Sequence, residues 1–205
     1  LALRGLTVFP HTNLTFDVER RISIKALEVA MESGQEIFLV TQREINVEKP
    51  TEQDLYAIGT ISRVTQILRL GQNSLRVMVE GGRRARLKRL WQLEPYLQGQ
   101  VETAEEPESV NHGPKTEALL RQTWSLFQDY AQLAGNVAEE VIAAALDCQE
   151  PGDLADRIAQ NIALRYDDKQ AILEELSPLV RLRKLNGFLA RERDVLSYER
   201  QMEGK

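Results

Sequence analysis

GTISRVTQILRLGQNSLRVMVEGGRRARL, residues 59–87, decides the fold of the first half of this chain. Ala57 to Leu70 is β-branched and apolar, Gly71-Gln72-Asn73-Ser74 is turn chemistry, and Leu75, Val77 and Val79 alternate with polar residues in one row. Two extended runs about such a turn predict a hairpin. Glu80-Gly81-Gly82 is read as a break in the second strand, with a bulge or a positive φ at the paired glycines. Arg83 to Leu93 resumes extended structure. Tyr96 to Ala104 is a last strand, with Leu97, Gly99 and Val101 in one row.

Upstream, Leu3 to Phe9 is β-rich and stops at Pro10, which has no N–H for a ladder. In Asn13 to Val18, Leu14, Phe16 and Val18 share a face. Arg21 to Glu32 repeats Ile22, Ala26, Leu27 and Ala30 at helical spacing, with Gly34 suited to the left-handed position beyond its end. Ile37-Phe38-Leu39-Val40 reads as a strand buried on both faces. The polar stretch Glu44 to Asp54, with Pro50, reads as a loop.

Downstream the period changes. Glu105 to Pro114 has two prolines, a glycine and no periodicity, and serves as a linker. Helices follow. Lys115 to Leu133 carries Leu119, Thr123, Leu126 and Tyr130 on one side, and Val137 to Leu146 continues after Gly135-Asn136. Asp153 to Leu164 shows Leu154, Ile158 and Ile162 at helical spacing after Pro151. Asp167 with Gln170 resembles a capping box, and Ser177-Pro178 opens a helix that runs toward the end of the chain. The expected architecture is α+β: a β-rich subdomain over 1–106 with one helix, a linker at 107–113, and a helical subdomain over 114–205 with a long terminal helix from about 178.

The chain has 205 residues, a net charge of −5 and one cysteine, Cys148. That length holds one large or two small domains. The mild negative charge argues against a dedicated nucleic-acid binder. One cysteine excludes an intramolecular disulfide and fits a cytoplasmic protein. No apolar run reaches the roughly 20 residues that span a membrane. Leu1 opens mid-pattern without a methionine, so a leader or targeting segment upstream is compatible with this reading. The sequence holds no G-x-x-x-x-G-K-[ST], H-E-x-x-H, C-x-x-C or G-x-S-x-G, and His11 and His112 are its only imidazoles. No metal site and no catalytic group is assigned.

Three features carry the candidate sites. Trp91, Leu93, Tyr96 and Leu97 gather around Pro95; such a group is core packing or, if partly exposed, an apolar grip for polypeptide. The basic run Arg83-Arg84-Ala85-Arg86-Leu87-Lys88-Arg89 offers phosphate contacts, but as a strand it sets Arg84, Arg86 and Lys88 on one solvated face. In the last helix Leu182, Leu185, Leu189, Glu192, Leu196 and Glu199 form a heptad-like series whose apolar character fades, beside a parallel row of Phe188, Val195 and Met202. About 25 residues extend about 37 Å, past the small bundle before it. Val195, Leu196 and Met202 are therefore candidates for an inter-subunit or linker surface.

LRGLTVFPHT, SIKALEVAM, IFLVTQ and VMVEGGRRARL in the first half resemble the amino-terminal domain of the ATP-dependent Lon proteases, as do EPGDLADRIAQNIAL, DDKQAILEEL and LARERDVLSYERQ in the second. Ala2 stands where that family usually has proline, and the LGQNS tip departs from its usual turn. The resemblance implies a PUA-like β subdomain, a mixed sheet or pseudo-barrel, before a helical bundle. It implies a non-catalytic domain that binds unfolded, damaged or tagged proteins and helps assemble the parent. The parent would be a hexameric protein-quality-control protease with an AAA+ ATPase, which uses ATP and Mg, and a Ser-Lys peptidase. Its place would be the bacterial cytoplasm or the mitochondrial matrix, without a membrane partner. A stand-alone adaptor and an RNA-binding PUA-like module are the alternatives.

Overall fold

The computed structural model describes residues 1–107 and 110–204, and the chain falls into two compact units. The first comprises Leu1–Glu105 together with Arg165–Glu174; the second comprises Glu106–Leu164 and Glu175–Lys205.

The first unit is built on a mixed sheet. Its strands are β1 (Ala2–Leu3), β2 (Asn13–Val18), β3 (Glu36–Thr41), β4 (Ile58–Arg69), β5 (Leu75–Gln92) and β6 (Gln98–Thr103). The order is β1-β3-β4-β5-β2, with β6 also on β5. Among the described residues, only β1 and β3 pair in parallel. The hairpin is β4 and β5, closed where the Leu70 N–H donates to the Ser74 carbonyl at 3.0 Å. Along β5, Leu75, Val77 and Val79 are buried while Arg76, Met78 and Glu80 are exposed, as a sheet with one core face requires. Helix α1 (Arg21–Glu32) lays Ala26, Leu27 and Ala30 against the same core as Val64, Val77 and Val79. Leu27 is fully buried, and each such side chain contributes about 1.5–3 kcal/mol.

The paired glycines do not break β5. The strand runs straight through them, with the register shifting between Ile61 and Ser62 so that Gly82 is the extra residue of a bulge. Neither glycine has positive φ. Close backbone approach explains them: a Cβ on Gly81 would lie 2.0 Å from the Phe9 carbonyl oxygen, and one on Gly82 would lie 2.3 Å from that of Ile61. The strand expected over Leu3 to Phe9 stops at Leu3. Gly5 turns the chain at φ +73°, and the Val8 carbonyl is held by the Thr60 hydroxyl at 2.7 Å rather than by a ladder.

Helix α5 (Tyr166–Glu174) belongs to the first unit, although in sequence it lies among the helices. Gln170 Nε2 donates to the Ile58 carbonyl at 2.9 Å, and the Tyr166 hydroxyl donates to the Arg43 carbonyl at 2.9 Å. Gln170 thus anchors the helix to β4 and does not close a capping box with Asp167. Arg84, expected on a solvated face with Arg86 and Lys88, is buried, and its Nε donates to the Leu173 carbonyl at 2.9 Å. A helix returning from 89 residues away covers that part of the strand.

The second unit holds α2 (Pro114–Ala134), α3 (Glu139–Leu146), α4 (Pro151–Asn161) and α6 (Pro178–Glu203). Pro114, Pro151 and Pro178 each occupy the first turn, where the missing N–H leaves no bond unmade. Leu154, Ile158, Phe127, Leu182, Leu185 and Leu189 are fully buried and form its interior. Arg181 is buried with them, beside Asp156 at 3.5 Å and Glu106 at 2.6 Å.

Candidate functional site

The connection from β5 to β6 holds the aromatic group singled out in the sequence. The structure divides that group in two. Trp91 is 53% exposed and Leu93 is 47% exposed, so the core-packing reading does not hold for them. Tyr96 packs on the main core, and Leu97 packs on a second, smaller core with Val40 and Leu55. The loop is fastened from within: Gln92 Nε2 donates to the Tyr96 carbonyl at 2.9 Å. The Arg89 guanidinium lies over the Trp91 ring at 5.9 Å. Two half-buried anchors thus present two exposed apolar side chains.

Leu97 divides two depressions of the first unit. On one side is a cleft of about 850 Å³, lined by Leu93, Leu97, Ile22 and Pro50 with Arg4 and Arg20. Arg20 braces it: its guanidinium donates to Gln42 Oε1 at 2.6 Å and to the Ala2 carbonyl at 2.8 Å. Burial, then the charge of Arg4, lowers the Arg20 pKa below its ordinary value. The charges at the rim offset one another, with Arg4 and Glu48 at 3.3 Å and Lys49 and Glu94 at 4.0 Å. Ile22, Pro50, Leu93 and Leu97 are the apolar part of a lining that is otherwise charged. On the other side of Leu97 is a smaller groove of about 220 Å³, with Val29, Phe38, Leu87, Leu90 and Val101 in its lining. Arg4, Arg20, Ile22 and Pro50 were not legible as site residues, because their segments meet only once the sheet has folded.

The second candidate surface is on α6. Val195 is 45% and Met202 is 77% exposed, and Leu196 is half-buried. Tyr198, which was not among the candidates, is also exposed and completes a row with Val195 and Met202 at helical spacing. The two histidines are far apart in the chain and differently engaged. His11 donates its backbone N–H to Gly81, whereas the His112 ring lies 3.6 Å from Glu150. Burial, as the largest cause, raises the Cys148 thiol pKa. Among the described residues no helix is long and apolar enough to cross a membrane.

An α+β unit that sets exposed apolar side chains beside a cleft of mixed apolar and charged lining has the form of a binding domain. Residues 1–191 match the family model of the ATP-dependent protease La (LON) substrate-binding domain, and the chain belongs to that family. It is 39% identical to the Lon protease of Desulforamulus reducens over 202 residues, 98% of this chain and 25% of that protein. It is 40% identical to the Lon protease of Brevibacillus choshinensis, also over 98% of this chain, and 26% of that protein. The chain thus spans about a quarter of the length of these curated relatives. Its fold is that of the amino-terminal domain of a Mycobacterium avium complex Lon protease, with TM-score 0.71 and 22% identity over 93% of this chain and 96% of that one. A Lon amino-terminal domain protein from Xanthomonas campestris gives TM-score 0.61 and 19% identity, covering 90% of this chain and 94% of that one.

Proposed function

We propose that this chain is the polypeptide-receiving part of a Lon-type ATP-dependent protease. It holds unfolded, damaged or tagged proteins and passes them to ATPase and peptidase machinery outside these residues. The observation that carries the reading is the exposure of Trp91 and Leu93 beside the cleft, in a chain whose family is described by substrate binding. The exposed half of a tryptophan, removed from water, contributes about 3 kcal/mol gross. Ordering an unfolded partner costs about 2–5 kcal/mol. One aromatic contact is therefore insufficient; binding is weak per site and combines several apolar contacts. The exposed row Val195, Tyr198 and Met202, with Leu196 beside it, supports a second role for α6 in contacts between subunits of the parent oligomer.

Titration of the chain with the native and the reduced, unfolded forms of one disulfide-containing protein tests this. The unfolded form should bind, and the double substitution Trp91→Ala with Leu93→Ala should weaken it about ten-fold without loss of fold. Equal affinity for the two forms would overturn the reading.

A further inference from the structure

Strand β6 pairs with β5 along one edge and, among the described residues, with no strand along the other. The phase of the ladder fixes which groups face that open edge. The Ala104 N–H donates to the Arg84 carbonyl at 3.0 Å, and from there the register runs Ala85 to Thr103, Arg86 to Glu102 and Leu87 to Val101. The Leu87 N–H turns the other way, to the Ala57 carbonyl at 2.7 Å. Bonded and non-bonded pairs alternate in an antiparallel ladder. Val101 and Thr103 therefore sit in non-bonded pairs, and their N–H and C=O groups point out of the sheet at the free edge.

The edge is also accessible and apolar on one face. Gln98, Gln100, Glu102 and Thr103 are exposed. Val101 lines the smaller groove with Leu87, Leu90 and Leu97. Glu102, the one charged side chain of β6, alternates to the opposite face and is ion-paired with Lys88 at 2.7 Å. A hydrogen bond from Lys88, then its charge, holds the Glu102 carboxyl below its ordinary pKa. The other edges of the sheet are less suitable. β1 has two residues, and the Phe16–Val18 end of β2 shares a small cavity of about 160 Å³ with Leu1, Leu3 and Leu6.

We infer that an extended polypeptide adds antiparallel to β6 as a further strand, exchanging main-chain hydrogen bonds with Val101 and Thr103. Its residue opposite Val101 shares that residue's face, so its side chain enters the groove over Leu87, Leu90 and Leu97. A row of free main-chain donors and acceptors at strand spacing is complementary to another extended backbone. A folded protein has already paired its backbone and offers none, so this mode selects unfolded chains with little regard to sequence. The inference rests on the polypeptide-receiving reading and locates one of its contacts.

The probe is a fluorescent peptide of about eight residues, alternating leucine and serine. It is made in two further forms, N-methylated either at the leucines or at the serines. The leucine that enters the groove is the residue whose own amide faces β6. Methylation at the leucines should therefore weaken binding to the full chain about ten-fold or more, while methylation at the serines leaves it unchanged. Val101→Pro removes an edge-facing N–H and spares the bonds to β5, so it should weaken the unmodified peptide similarly with an unaltered circular dichroism spectrum. Should that variant fail to fold, the two methylated peptides on the unsubstituted chain still decide. Equal effects of the two methylation patterns would overturn strand addition, and if unfolded protein still binds, the proposed function stands. Absence of binding by the peptide and by unfolded protein would remove both. Self-association of the chain that Val101→Pro abolishes, with peptide binding intact, would assign the edge to a second copy and overturn the inference.

Discussion

Arg181 is a charged side chain with no exposure, and its partners explain how it can be buried. Its guanidinium donates to the Glu175 carbonyl at 2.8 Å and the Gly152 carbonyl at 3.4 Å, and it meets the carboxylates of Glu106 and Asp156. One planar fork thus ties the start of the second unit, the first turn of α4 and the approach to α6. Arg181→Met would leave Asp156, 2% exposed, without that cation, and should lower stability by about 3–5 kcal/mol in urea denaturation. Arg181→Lys should recover little of this, because a point charge on a flexible stem cannot reach four acceptors at once. A lysine variant as stable as the parent would show that charge alone matters there. Gly82 makes a different demand, for space. Gly82→Ala forces a Cβ against the Ile61 carbonyl oxygen and should cost about 1–3 kcal/mol in the same assay; a neutral result would show that the bulge relaxes freely.

Helix α6 changes character along its length. Leu182, Leu185 and Leu189 are fully buried, while Tyr198 is 67% and Met202 is 77% exposed. Near its end, Arg200 donates to the Gln132 carbonyl at 3.2 Å, a single exposed bond. Helical ends without packing fray first. Amides from Val195 to Glu203 should therefore exchange hydrogen faster than those from Leu182 to Leu189 at concentrations where the chain is monomeric. Equal protection would show that the last turns belong to the core. This division was legible in the sequence, because the apolar series meets Glu192 and then fades. The hairpin was legible too, from the alternation of Leu75, Val77 and Val79 around a polar turn. What was not legible came from distant segments. RRARLK reads as a solvated stripe until α5 covers Arg84, and RLRKL gives no sign that Arg181 is buried. Of the candidate site, sequence singled out Trp91, Leu93, Tyr96 and Leu97 but not which pair is exposed, since that depends on how the loop lies against two cores. The cleft beside them joins residues from opposite ends of the first unit.

Taken as a whole, the chain crosses between its two units three times, at Glu105, at Leu164 and at Glu174. The sequence shows only the first crossing, as a proline-bearing linker. A fragment of residues 1–106 therefore lacks part of its own unit. It loses the Leu173 carbonyl that accepts from buried Arg84 and the Gln170 amide that donates to Ile58. It loses α5's Ile172 and Leu173 as well, both buried in the whole chain. An interior polar group deprived of its partner costs about 1–3 kcal/mol, so the loss should be local and measurable. In the fragment, amides of Ile58 to Thr60 and Arg84 to Leu87 should exchange faster than in the whole chain. Those of Leu75 to Val79 lie at the other end of β5, beside β2, and should keep more of their protection. Adding a peptide of residues 165–174 should restore the first set, because the bonds it supplies to the sheet are α5's own. Uniform protection in the fragment, or no response to that peptide, would show that α5 is an accessory to the first unit and that residues 1–106 fold without it.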